Sequence, residues 1–90
     1  MENKIFRFYS DASHGWLAVK RKELRELGIL DKISSCSYQR GDTVYLEEDN
    51  DLIIFAQAFE AKFGKQPTIK DCFYANVPVR SYERFFHNPV

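Results

Sequence analysis

From Asp49 to Gly64 the chain carries a pattern that few folds can satisfy. Leu52, Phe55, Ala56, Phe59 and Phe63 recur at spacings of three and four, the repeat of an α-helix with one apolar stripe. Asp49 stands where an N-cap is expected, Gly64 lies just past the last turn, and Pro67 bars continuation. A helix striped with phenylalanine must lie on an apolar surface, and the flanking segments read as the strands that supply it.

From Lys4 to Ser10, Ile5, Arg7 and Tyr9 alternate with Phe6 and Phe8. Asp11 to Gly15 reads as a turn, and Trp16 to Val19 resumes the alternation. The two segments form an expected hairpin with Phe6, Phe8, Leu17 and Val19 inward. A short helix is expected over Arg21 to Leu27, stopped by Gly28 in the left-handed region with Ile29 folding back on Leu24. A second hairpin is expected from Ser35–Tyr38 and Thr43–Glu47 around Gln39-Arg40-Gly41-Asp42, with Val44 and Leu46 inward. A further strand spans Thr68 to Tyr74. Residues 77–90, framed by Pro78 and Pro89, read either as a last helical turn or as an aromatic C-terminal arm. The element order ββαββαβ predicts one α+β domain over residues 1–90: a small, mostly antiparallel sheet with two helices packed on one face.

A chain of 90 residues buries roughly 60–65% of its unfolded surface, and 44% apolar with 16% aromatic residues suffices for one core. Thirteen basic residues balance thirteen acidic ones, so no long-range field draws the molecule to nucleic acid or an anionic membrane. Cys36 and Cys72 stand far apart without metal-ligand spacing and are expected as reduced, buried thiols. The N-terminus lacks the basic-then-apolar run of a signal peptide, and the longest apolar stretch, Leu52 to Ala56, falls short of the ~20 residues that span a bilayer. A cytoplasmic protein without membrane contact, cofactor or metal is the expectation, as monomer or homodimer.

Several clusters are candidates for chemistry. Asp11, Ser13 and His14, with Trp16 beside them, combine carboxylate, hydroxyl and imidazole, the raw material of a small hydrolase. Asp, Ser and Gly are equally what a turn requires. Glu47, Glu48, Asp49 and Asp51 supply oxygen ligands but lack the glycine and distal glutamate of an EF-hand loop, and acids at a helix N-terminus suit its dipole. Lys20, Arg21 and Lys22, with Arg25, crowd the start of the first helix against that dipole, a reason to consider an anion or nucleic-acid site. The competing reading is solvated charge paired with Glu23, Glu26 or the acidic run. Toward the C-terminus Tyr74, Tyr82, Phe85, Phe86 and His87 accompany Arg80 and Arg84, residue types enriched at interfaces. Arg40-Gly41-Asp42 matches an integrin-recognition tripeptide, and its place in a hairpin loop accounts for it without that role.

The strings Ser10-Asp11-Ala12-Ser13-His14-Gly15-Trp16-Leu17-Ala18-Val19, Leu24-Arg25-Glu26-Leu27-Gly28-Ile29, Asp31-Lys32-Ile33-Ser34 and Tyr45-Leu46-Glu47-Glu48-Asp49 resemble small uncharacterised proteins encoded by phages, plasmids and other mobile elements. Those proteins often carry proline where this chain has Lys20. The resemblance brings no catalytic residues. It implies an accessory protein that binds and blocks a host protein or nucleoprotein, such as an anti-CRISPR or other anti-defence inhibitor. Binding would rest on Trp16, Tyr38, Arg40, Tyr45, Tyr82 and Arg84 as exposed aromatics and charges. A nucleic-acid binder using Lys20, Arg21, Lys22 and Arg25 is the alternative, and the hydrolase at Asp11, Ser13 and His14 the third reading.

Overall fold

Leu17 and Val19 point to one side of their strand, and Trp16 and Ala18 to the other. The computed structural model describes residues 1–73 and 78–86. Its strands are β1 (Ile5–Ser10), β2 (Gly15–Lys20), β3 (Tyr38–Arg40), β4 (Thr43–Glu47), β5 (Thr68–Phe73) and β6 (Glu83–Arg84). Its helices are α1 (Arg21–Glu26) and α2 (Asp51–Phe63), with 3-10 turns at Leu30–Lys32 and Pro78–Ser81. The strands form one six-stranded sheet in the order β5-β1-β2-β4-β3-β6.

On the side of Leu17 and Val19, the sheet contributes Phe6, Val44 and Leu46 to a core closed by Phe55 and Phe59 of α2, Leu24 of α1, and Ile29, Ile33 and Phe85. The Phe6 ring meets Phe55 and Phe59 edge-on, at 5.2 and 6.0 Å between centroids. Each such side chain taken from water contributes about 1.5–3 kcal/mol. Gly15 belongs to this side too: a Cβ there would lie 2.2 Å from the Phe8 ring, so the close approach needs glycine.

The helix stops are local chemistry. Ile29 N–H donates to Leu24 O and Gly28 N–H to Arg25 O, both at 3.0 Å, with Gly28 at φ +71°. This is the Schellman arrangement the sequence predicts. The N-terminus of α2 differs from expectation: Asn50 occupies the cap position and its side chain makes no cap bond. Asp51, one residue on, is buried. Its carboxylate accepts from Ser34 N–H at 3.1 Å, from Ser34 Oγ at 2.9 Å and from Ser37 Oγ. It therefore ties the preceding loop onto the helix.

Those bonds displace the expected second hairpin. Ser37 Oγ also accepts Glu47 N–H at 3.0 Å, and Ser37 O accepts Phe85 N–H at 3.0 Å, so Ser35–Ser37 serves as an anchor and β3 begins at Tyr38. The loop shrinks to Gly41-Asp42, with Arg40 opposite Thr43. The sheet is mixed, because β5 runs parallel to β1 while the other pairings are antiparallel. The sixth strand, β6, pairs Arg84 with Tyr38 and Glu83 with Gln39. Cys36 is exposed and Cys72 half-buried, against the expected burial of both. The expected arm at 77–90 is described over 78–86 as a 3-10 turn and β6; its remaining residues and Tyr74 lie outside the described residues.

Candidate functional site

The first turn uses its polar groups on itself. Asp11 Oδ1 accepts the backbone N–H of Ser13 at 2.8 Å and of His14 at 2.9 Å. These two bonds, Ser13's first, hold the Asp11 carboxyl below its ordinary range. The His14 ring stacks on Trp16 at 5.9 Å and its Nδ1 meets the Arg80 guanidinium. Among the described residues no bond joins the Ser13 hydroxyl to His14, so carboxylate, hydroxyl and imidazole do not form a relay. The acidic run separates likewise, and among the described residues no three His, Cys, Asp or Glu side chains are placed to hold a metal ion.

The basic cluster divides. Arg21 is buried with its guanidinium 4.9 Å from the Phe85 ring centre, and it donates to Gln39 Oε1 at 3.2 Å and to Phe86 O. Burial, then the neighbouring Arg25 charge, lowers its pKa. It is a strut between α1 and the end of the chain. Lys20 N–H donates to Glu23 Oε1 at 2.7 Å, Lys4 Nζ pairs with Glu23 Oε2 at 2.9 Å, and Lys20 Nζ reaches Thr43 Oγ1 at 3.1 Å. Lys22 and Arg25 are exposed. They rim a hollow of about 620 Å³ that Glu23, Glu26 and Asp42 also line, so acids alternate with bases there.

The side of the sheet that α2 leaves uncovered gathers the remaining candidates. Cross-strand registers place Lys70, Arg7, Ala18, Tyr45, Tyr38 and Arg84 in one row, one residue per strand, on the side of Trp16. A second row runs Cys72, Tyr9, Trp16, Glu47, and a third Lys20, Thr43, Arg40. Trp16, expected as an exposed aromatic, is buried, forming with Val79 a small core on which Tyr9, Tyr38, Tyr45 and Tyr82 pack. Trp16 meets Tyr38 edge-on at 6.3 Å, and Tyr45 lies 5.1 Å from Tyr82. Arginines cover these rings: Arg84 over Tyr38 at 4.5 Å, Arg40 over Tyr82 at 5.2 Å and Arg80 over Trp16 at 5.7 Å. Arg84 donates to Ser35 O and Arg40 to the Tyr82 hydroxyl, at 3.1 and 3.3 Å. Burial, then Tyr82 and Tyr9, raise the Tyr45 pKa.

Tyr38, Arg40, Tyr45, Tyr82 and Arg84 thus share one face over Trp16, whereas Lys20, Arg21, Lys22 and Arg25 line the hollow at α1 together with Glu23, Glu26 and Asp42, Arg21 being committed to Gln39 and Phe86 O. Arg7, Tyr9, Ala18 and Arg80 belong to that face as well. The outward half of the first strand's alternation carries the signal for Arg7 and Tyr9; nothing local marks Ala18 or Arg80. The chain matches no family model, no curated protein and no solved structure. No described helix is long and apolar enough to cross a membrane.

Proposed function

We propose that this protein is a non-enzymatic binding module whose recognition surface is the face of the sheet opposite α1 and α2, and that it acts as a mobile-element accessory protein blocking a host protein or nucleoprotein in the manner of an anti-defence inhibitor. The observation that carries the reading is the composition of that face: four tyrosines packed over Trp16 and Val79, with Arg40, Arg80 and Arg84 laid on aromatic rings. Tyrosine supplies broad contact area at little entropic cost and arginine a planar fork of directed donors, and both are enriched among the residues that dominate interface energetics. The self-contained bonding of the first turn favours binding over hydrolysis.

The test is affinity capture from host lysate with wild type beside a Tyr82→Ala, Arg84→Ala variant that keeps its thermal midpoint. A partner retained by wild type and lost by the variant supports the reading. An unchanged set of captured proteins places the surface elsewhere.

A further inference from the structure

Resting on that reading of the face, we infer that its occupant is an acidic, extended segment of a partner protein, lying along the Lys70–Arg84 row with one carboxylate seated over Ala18. Charge segregation is the first ground. The chain holds equal numbers of acids and bases, yet exposed Arg7, Lys20, Arg40, Lys70, Arg80 and Arg84 gather on this side. Asp71 and Glu83 stand opposite Phe8 and Gln39 and so project to the other side. Half-buried Glu47 shares the cationic side, and Asp11 in the first turn lies close enough to Arg80 to feel its charge. Among the described residues, none of these six cations has a carboxylate within ion-pair distance; the pair present is Lys4–Glu23.

The shape of the row is the second ground. Ala18 is the small residue between Arg7 and Tyr45, and above it lies a hollow of about 290 Å³ lined by Arg7, Tyr9, Lys20, Thr43 and Tyr45, with Lys4 at its edge. A carboxylate entering there meets Arg7 and Lys20, with Lys4 beside them, and the hydroxyls of Tyr9 and Tyr45. Strands about 4.8 Å apart carry a row of six across ~24 Å, the reach of about seven extended residues.

The third ground separates carboxylates from nucleic acid. Base stacking needs open ring faces, but Tyr38, Tyr82 and Trp16 each carry a guanidinium, and Tyr9, Tyr45 and Tyr82 tilt by 57° and 47° against one another. A stacked guanidinium still presents its N–H edge, the fork that pairs bidentately with carboxylate.

The test is fluorescence anisotropy at low salt with a labelled peptide of about eight residues alternating Glu and Thr, beside a labelled oligothymidylate of similar length. Wild type is expected to bind the peptide more tightly than the oligonucleotide. Ala18→Leu, which fills the hollow, weakens peptide binding about tenfold, and Arg7→Gln and Arg84→Gln weaken it severalfold each while circular dichroism stays unchanged. Tighter oligonucleotide binding, no peptide binding, or peptide binding indifferent to Ala18→Leu and Arg7→Gln overturns the inference. Loss of lysate capture in the Tyr82→Ala, Arg84→Ala variant without peptide binding by wild type removes only the acidic occupant; unchanged capture removes the face itself.

Discussion

Leu17 and Trp16 are neighbours on β2, both buried, and they are buried by opposite means. Leu17 lies under a phenylalanine-striped helix; Trp16 lies under Val79 and a layer of half-buried tyrosines that arginines overlay. The first core is closed by apolar groups with no other use, so its residues decide stability. The second is closed by side chains whose inner surfaces exclude water and whose outer edges remain donors, which makes one layer both lid and recognition surface.

The sharpest attempt to break this contrast is Phe59→Ala. Phe59 is fully buried between Phe6, Phe55 and Phe63, and truncation is expected to cost about 3–5 kcal/mol in guanidinium unfolding. A cost near 1 kcal/mol would mean that α2 is not the lid of the main core. Asp51→Ala should follow at about 2–3 kcal/mol, because it leaves Ser34 N–H and the Ser37 hydroxyl without their charged acceptor. Glu23→Ala, removing the acceptor of Lys20 N–H, is expected to cost about 1 kcal/mol in the same assay. On the open face, Arg40→Gln and Arg84→Gln should stay within about 0.5 kcal/mol of wild type; a larger loss would make the arginines structural.

The smallest effect is a pH dependence. The Asp11 carboxyl is held down in the folded state, so its ionised form favours folding at neutral pH. That contribution fades as the pH falls from the ordinary value of 3.8 through the lower folded value. The midpoint difference between wild type and Asp11→Ala should therefore shrink with acidification across that range, and thermal melts from pH 6 downward check it.

What the sequence made legible was whatever repeats locally. The stripe of α2, the first hairpin with Phe6, Leu17 and Val19 inward, and the Gly28 stop are set by neighbours within a few residues. Pairings between distant segments left no such trace: β5 beside β1 in parallel, and Glu83-Arg84 as an edge strand on β3. Polar residues misled for a related reason. Asp51 read as one acid among four at a helix start, but a buried partner in Ser37 is invisible to spacing. Arg21 read as one of three surface cations, whereas Phe85, Phe86 and Gln39 enclose it. The row from Lys70 to Arg84 draws one residue from each of six strands, so no window along the chain contains it. Its outward tyrosines and arginines were individually visible; their company was not.

Gln39 and Arg40 are adjacent on β3 and face opposite ways: Gln39 is buried, bonded to Arg21 and Glu83, and Arg40 lies exposed over Tyr82. Measuring thermal midpoint and partner capture for Gln39→Ala and Arg40→Ala tests the division of labour most directly. The account predicts that Gln39→Ala lowers the midpoint yet retains capture well below it, and that Arg40→Ala keeps the midpoint and loses capture. An Arg40→Ala protein that melts as early as Gln39→Ala and still holds the partner would contradict it.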